Sequence, residues 1–197
     1  MSWLEEWQVE SGVRLFLGSF DRLPQNYELA TSLSKARRRE NDALNQFLKL
    51  HYPNSEIIKD EQGKPFFKNR EIHFNYSHSQ SHFFWGEHLE FPIGVDVESE
   101  RPQLQKVAHK FCNSMEWDYT NKGTNSPLLL AIWSAKESMF KAYGKGEVDF
   151  KEHMQIEPFE FAESGHLKAT FRSPEEHRLT IFYRRFNTSI CTWTLWH

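Results

Sequence analysis

The chain is poor in cysteine, glycine and charge of one sign, and it has no long apolar run. Its two cysteines, Cys112 and Cys191 among 197 residues, stand in no Cys-x-x-Cys spacing. That excludes a disulfide framework and argues against structural zinc, leaving them as core residues of a reducing compartment. Nine glycines rule out collagen-like and low-complexity chains. No stretch approaches the roughly 18 apolar residues of a membrane span. The opening MSWLEEWQVE is acidic, without the basic and apolar regions of a signal peptide, so a cytoplasmic location is expected. The formal net charge is -3. No segment reaches the basic density of a nucleic-acid groove, although Lys35 to Arg39 comes nearest. Neither nucleic acid nor a membrane is an expected partner.

What the chain does have is aromatic mass. Phe, Trp and Tyr make up 15% of it, with 17 Phe and 7 Trp. Such side chains bury large areas, which predicts a dense core and an aromatic-lined cleft. Val13 to Phe20 alternates as a strand, and Leu29 to Leu50 carries Leu33, Leu44, Phe47 and Leu48 at helical spacing. Glu56 to Phe67 holds a Gln-Gly turn between two apolar runs, and strands follow at 73–76, 82–86 and 92–98. A helix is expected over Leu104 to Phe111. A longer one follows Pro127, with Ser126 available as its cap and Gly144 to close it. Strands at 155–161, 166–172, 179–185 and 189–196 complete an α+β chain. It divides into two similar lobes, 1–101 and 102–197, each with helices on an antiparallel sheet and a seam near 99–103.

The chemistry concentrates in two places. In PIGVDVES, Asp96 and Glu98 lie two apart on a strand, so both carboxylates share one face about 7 Å apart. They repel unless a cation lies between them, and a hard divalent ion such as Mg2+ suits oxygen ligands. On the long helix, Trp133, Glu137 and Lys141 fall at i, i+4 and i+8, a narrow polar stripe on an otherwise apolar helix. A third carboxylate and a phosphate-neutralising lysine would complete a site for Mg2+ and pyrophosphate. Ser77, His78 and Ser79 end a strand, and Lys64 sits beside a turn; both suit phosphate oxygens. The triplet His73, His78 and His82 lacks the cysteines and helical context of a zinc site. Ser138 to Lys141 also spells the Ser-x-x-Lys of penicillin-recognising enzymes, but without a Ser-Asp-Asn or Lys-Thr-Gly partner.

Taken in order, Gly63-Lys64-Pro65, Phe74-Asn75-Tyr76-Ser77-His78-Ser79, Ile93-Gly94-Val95-Asp96-Val97-Glu98 and Trp133-Ser134-Ala135-Lys136-Glu137-Ser138-Met139-Phe140-Lys141 closely resemble the motifs of the 4'-phosphopantetheinyl transferases of the surfactin-synthetase-activating type. The resemblance spans Gly63 to Lys141. It implies a monomer of two pseudo-two-fold-related lobes with the site between them. It also implies transfer of the phosphopantetheine arm of coenzyme A to a serine of an apo acyl or peptidyl carrier protein, releasing adenosine 3',5'-bisphosphate.

By the same resemblance, Asp96, Glu98 and Glu137 would hold Mg2+, with Glu137 and Lys141 catalytic. Lys64, Ser77, His78 and Lys141 would contact the phosphates of coenzyme A, and Glu116 resembles a glutamate near the metal-bound water. Many relatives bear an arginine before a Leu-Leu pair; this chain has Asn45 there, and Arg38, flanked by Arg37 and Arg39, is the candidate to compensate. A fold-retaining protein that binds coenzyme A or a carrier without catalysis is the alternative. The aromatics near the motifs, Phe66, Phe67, Phe74, Tyr76 and Trp133, are expected to pack the seam between lobes.

Overall fold

The computed structural model describes residues 3–9, 12–23 and 35–197. In chain order the elements are β1 (Leu4–Gln8), β2 (Arg14–Ser19), α1 (Lys35–His51), β3 (Ile57–Lys59), β4 (Pro65–Phe67), β5 (His73–His78), β6 (His82–His88), β7 (Ile93–Ser99), α2 (Gln103–Val107), α3 (Ser114–Tyr119), α4 (Ser126–Tyr143), α5 (Phe150–His153), β8 (Met154–Ile156), β9 (Ser164–Arg172), β10 (Glu176–Phe186) and β11 (Ser189–Leu195). The chain is α+β with antiparallel sheets, as expected. The part of the first predicted helix before residue 35 lies outside the described residues.

Sheet 1 runs β1-β2-β6-β5 and sheet 2 runs β7-β11-β10-β9-β8, with β3 and β4 forming a separate hairpin. The seam expected near 99–103 therefore does not divide the sheets, because β7 pairs antiparallel with β11 through Asp96 opposite Thr192. The reason lies in its alternation. Ile93, Val95 and Val97 join Leu15 and Phe84 of sheet 1 in one apolar layer, so β7 packs its face, not its edge, on that sheet. At Gly86 a Cβ would stand 2.3 Å from Val95 Cγ1, so the Val95 side chain packs directly on the Gly86 backbone.

That contact also displaces the expected aromatic seam. Phe67 and Phe74 pack with Phe16, Phe47, Phe83 and Trp85 between sheet 1 and α1, and the Phe74 and Trp85 rings stack at 4.4 Å. Tyr76 packs on the same cluster, while Phe66 is exposed and Trp133 sits on the core of sheet 2. The layer between sheets mixes aliphatic side chains with Phe84 and Trp193, while Phe67, Phe74 and Trp85 lie in the separate cluster under α1.

Helix α4 begins as its sequence suggests, with one change of cap. Asn125 accepts the Leu128 N–H at 3.3 Å, Ser126 is the first helical residue, and Gly144 closes the helix at φ 66°. Ser126 instead accepts a hydrogen bond from Gln105 at 2.8 Å. Three elements are additions to the sequence reading, among them the short helix α5 (Phe150–His153) capped by Asp149. Strand β1 is a charged edge strand, and α3 is a short helix whose signal was the capping box of Asn113 and Glu116. The strand expected over 155–161 shortens to Met154–Ile156.

Two devices hold α4 in place. A Cβ at Gly94 would lie 1.8 Å from the Ser138 carbonyl oxygen, so β7 and α4 touch backbone to backbone. On the opposite side Lys136, fully buried, donates to Glu116 at 2.6 Å and to the carbonyls of Phe111, Phe150 and Met154. Glu116 in turn accepts the N–H groups of Asn113 and Ile156. One ammonium thus ties α4 to the segments around α3, α5 and β8. Gly94→Ala is expected to destabilise the fold by about 3 kcal/mol or more in chemical denaturation, since backbone cannot yield to the added methyl. Lys136→Met is expected to cost about 3–5 kcal/mol by the same measurement, because it strands the Glu116 charge.

Candidate active site

The alternation that sends Val95 and Val97 into the sheet layer turns Asp96 and Glu98 toward α4. Asp96, 3% exposed, is the centre of the arrangement. Its Oδ1 accepts from Ser77 Oγ at 2.8 Å and from Lys141 Nζ at 2.8 Å, and its Oδ2 accepts from Ser134 Oγ at 2.8 Å. Lys141 also donates to Ser77 at 2.9 Å. Residues from β5, β7 and α4 are thereby joined at one carboxylate. A carboxylate offers about four acceptor directions, so three are used and one on Oδ2 remains.

Glu98 lies beside this knot, accepting from Trp133 Nε1 at 2.9 Å and from Arg101 at 3.3 Å. Burial first, and then the Asp96 charge, raise its carboxyl above the ordinary range, against the opposing Trp133 hydrogen bond. Glu137, half-buried one turn from Lys141, has no hydrogen-bond or ion-pair partner among the described residues. Burial, reinforced by the charge of Asp96 and opposed by Lys141, lifts its carboxyl from 4.5 to about 7. No three acidic, histidine or cysteine side chains draw together tightly enough to bind a metal ion among the described residues. Lys141, bonded to Asp96, holds the place beside that carboxylate.

Lys64 reaches the region from the β3–β4 turn. Asp60 Oδ1 accepts the N–H groups of Gln62 and Lys64 at 3.0 and 2.8 Å, and Gly63 takes φ 84°, which fixes the turn. The Lys64 ammonium lies 3.3 Å from the Ala142 carbonyl at the end of α4 and rests over Gly144, where a Cβ would be 2.6 Å from Nζ. Burial lowers its pKa, partly offset by Asp60. Beside it a cavity of about 270 Å³ is lined by Lys59, Lys64, Asn75, Tyr76, Lys141 and Lys145. Four lysines line this one small cavity, a positive balance that suits a phosphorylated ligand.

Not every predicted residue joins this knot. His78 Nδ1 stands 3.4 Å from Glu40 Oε1 of α1, at the far end of β5 from His73. Arg38 is half-buried two residues from Glu40 and does not line that cavity. Glu116 lies on the other side of α4, sealed with Lys136, and does not face Asp96. Ser138 is fully buried and donates to the Ala135 carbonyl at 2.9 Å, which removes it as an acyl-enzyme nucleophile. Sequence reasoning missed Ser134, Arg101, Glu40, Lys59 and Lys145. Ser134 alone carried a signal, lying at i, i+3 and i+7 with Glu137 and Lys141.

The family match falls on the segments that carry Asp96, Glu98, Glu137 and Lys141. The model of the 4'-phosphopantetheinyl transferase superfamily matches residues 92–191, from the start of β7 into β11. A 4'-phosphopantetheinyl transferase of Aneurinibacillus migulanus, gsp, is 36% identical over 102 residues, covering 49% of this chain and 42% of the relative. The transferase ffp of Bacillus subtilis is 36% identical over 90 residues, 44% of this chain and 40% of its own length. Sfp of Bacillus subtilis strain 168 is 32% identical over 90 residues, with the same coverage. The matched stretch thus spans about two fifths of these relatives. With the family match covering half of the chain and containing Asp96, Glu98, Glu137 and Lys141, the chain belongs to the 4'-phosphopantetheinyl transferase superfamily.

Proposed function

We propose that this chain transfers the 4'-phosphopantetheine arm of coenzyme A to a serine hydroxyl of an apo acyl or peptidyl carrier protein, releasing adenosine 3',5'-bisphosphate. The observation that carries the reading is the junction of Ser77, Asp96, Ser134 and Lys141, with Glu98 and Glu137 beside it and a lysine-lined cavity adjoining. The two lobes are proposed as 1–101 and 102–197, related by a pseudo-two-fold axis, with β7 of the first lobe crossing over to complete sheet 2 of the second. Their support is that a long helix packs on an antiparallel sheet in each, α1 on sheet 1 and α4 on sheet 2. The protein acts as a cytoplasmic monomer without nucleic acid or membrane. No helix among the described residues is long and apolar enough to cross a bilayer.

The oxygen donors present are of the kind Mg2+ takes, although the three carboxylates are not drawn together into one cluster among the described residues. Asp96 keeps one acceptor direction, Glu137 has no partner, and the carboxyls of Glu98 and Glu137 are raised by burial and mutual charge, a strain that a hard cation relieves. Asp96, Glu98 and Glu137 would hold the ion, and when bound it supplies charge neutralisation on the pyrophosphate of coenzyme A. Lys141 and Lys64 meet phosphate oxygens with fixed positive charge, and Ser77 and His78 offer further donors. The carrier serine oxygen forms a bond to phosphorus while the bond from phosphorus to the bisphosphate oxygen breaks. Positive charge at Lys141 is best placed to offset charge on that leaving group. Glu137 would receive the serine proton as the carboxylate nearest Lys141 on the same helix face.

Incubation with Mg2+, coenzyme A and a panel of apo carriers is expected to add the mass of the arm to at least one carrier by mass spectrometry. A folded protein that modifies none of them sinks the reading. Asp96→Ala and Glu137→Ala are expected to abolish transfer, and Lys141→Ala to slow it by about 10²–10³-fold, the cost of removing one transition-state charge partner. Stability should also follow the Glu137 carboxyl. Its folded pKa of about 7 lies above its ordinary 4.5, so its contribution is full below pH 4.5 and is lost as pH rises through 7. Without metal, the melting temperature should therefore fall between pH 5 and 8 more steeply than in Glu137→Gln. A parallel fall in both proteins would refute that assignment.

A further inference from the structure

Helix α4 carries two serines one turn apart that behave differently. Ser138 turns back to its own helix and donates to the Ala135 carbonyl, the ordinary fate of a buried helical serine. Ser134 does not. It is fully buried, points across to β7 and donates to Asp96 Oδ2 at 2.8 Å. The difference is Thr192, also fully buried, on β11 directly opposite Asp96 in the strand register. Its Oγ1 lies 2.8 Å from the Ser134 carbonyl and 3.0 Å from Ser134 Oγ.

The proton count fixes the direction. Two hydroxyl protons face four acceptors, Asp96 Oδ2, the Ser134 carbonyl and the two hydroxyl oxygens themselves, and the Asp96 carboxylate is the strongest of them. Ser134 therefore gives its proton to Asp96, and Thr192 gives its own to the carbonyl or the Oγ of Ser134. Strand β11 thus reaches Asp96 through Ser134, whose carbonyl Thr192 bonds at 2.8 Å and whose hydroxyl it contacts at 3.0 Å, on the oxygen that keeps an open acceptor direction. Ser77 and Lys141 hold the other oxygen.

We propose that Thr192 and Ser134 form a positioning relay that sets the rotation of the Asp96 carboxylate for a divalent cation. The inference rests on the metal-binding reading above and not on carrier transfer. Thr192→Val keeps the shape and removes the hydroxyl, Thr192→Ser keeps the hydroxyl, and Ser134→Ala tests the second link in a residue type that favours helix.

Mn2+ alone, titrated into the full chain without coenzyme A or carrier and read as free Mn2+ by electron paramagnetic resonance, is the probe. Thr192→Val and Ser134→Ala should each weaken Mn2+ binding roughly ten- to hundredfold, the usual effect of removing a group that orients a metal ligand. Near-UV circular dichroism should remain that of the wild type. Thr192→Ser should restore affinity, and the double variant should bind no more weakly than the weaker single one, because both act through one bond. Unchanged Mn2+ binding in a folded Thr192→Val or Ser134→Ala overturns the relay, as does a Thr192→Ser no better than Thr192→Val. Absence of Mn2+ binding by the wild type overturns it too. Should Thr192→Val not fold, Ser134→Ala decides alone. A wild type that binds Mn2+ yet modifies no carrier fails only the transferase reading.

Discussion

The close approach of α4 to β7 at Gly94 is the constraint on which the site depends. With the Ser138 carbonyl occupying the space of a side chain, the helix axis lies nearer the strand than any residue with a Cβ would permit. Only at that separation does Lys141 reach Asp96 at 2.8 Å while Ser134, two turns earlier, reaches the other oxygen of the same carboxylate. Glycine at one position thus sets the geometry of two polar contacts that are remote from it in the chain. The Lys136 ammonium works from the opposite side of the helix. Its four oxygen partners prevent α4 from sliding along the strand, and its burial is tolerable because Glu116 matches its charge.

Because α4 is pinned on both sides, its polar stripe is pre-positioned against β7, and the electrostatics of the site follow. Three carboxylates gather near one ammonium. Asp96 takes the ammonium and two hydroxyls, so its charge is fully met, while Glu98 and Glu137 are left to repel it in a half-buried setting. The excess negative charge is stored beside a cavity whose walls carry four lysines. Opposite charges stand side by side without cancelling, an arrangement suited to a ligand that is itself a phosphate paired with a cation.

The aromatic load has a different task from the one its position in the motifs suggested. Phe67, Phe74 and Trp85 support the layer from which Ser77 and Lys64 project, but they do so under α1, not between the sheets. Neighbours of a motif in sequence point alternately into and out of a strand. Phe74 and Ser77 therefore serve opposite faces of β5: one packs the core, and the other meets Asp96.

Much of the site was legible before any coordinates. The two-residue spacing of Asp96 and Glu98 places them on one face of a strand, and the four-residue spacing of Glu137 and Lys141 places them on one face of a helix, because those periods are properties of the backbone. The Gln-Gly turn before Lys64, the start of α4 within one residue of Pro127 and its end at Gly144 are local and were read locally. Pairing was not legible. That β7 leaves sheet 1 for sheet 2, that Thr192 lies opposite Asp96, that Glu40 meets His78, and that Glu116 turns to Lys136 all join residues 20 to 96 positions apart. Nothing in a residue's neighbours along the chain encodes such partners. They are chosen by how two sheets and two helices share out apolar area. The sequence by itself thus determined which groups carry the chemistry and which face of its own element each one occupies. Only the tertiary structure decided which faces meet, because that depends on packing between elements and, at Gly94, on backbones that approach to the distance a missing Cβ allows.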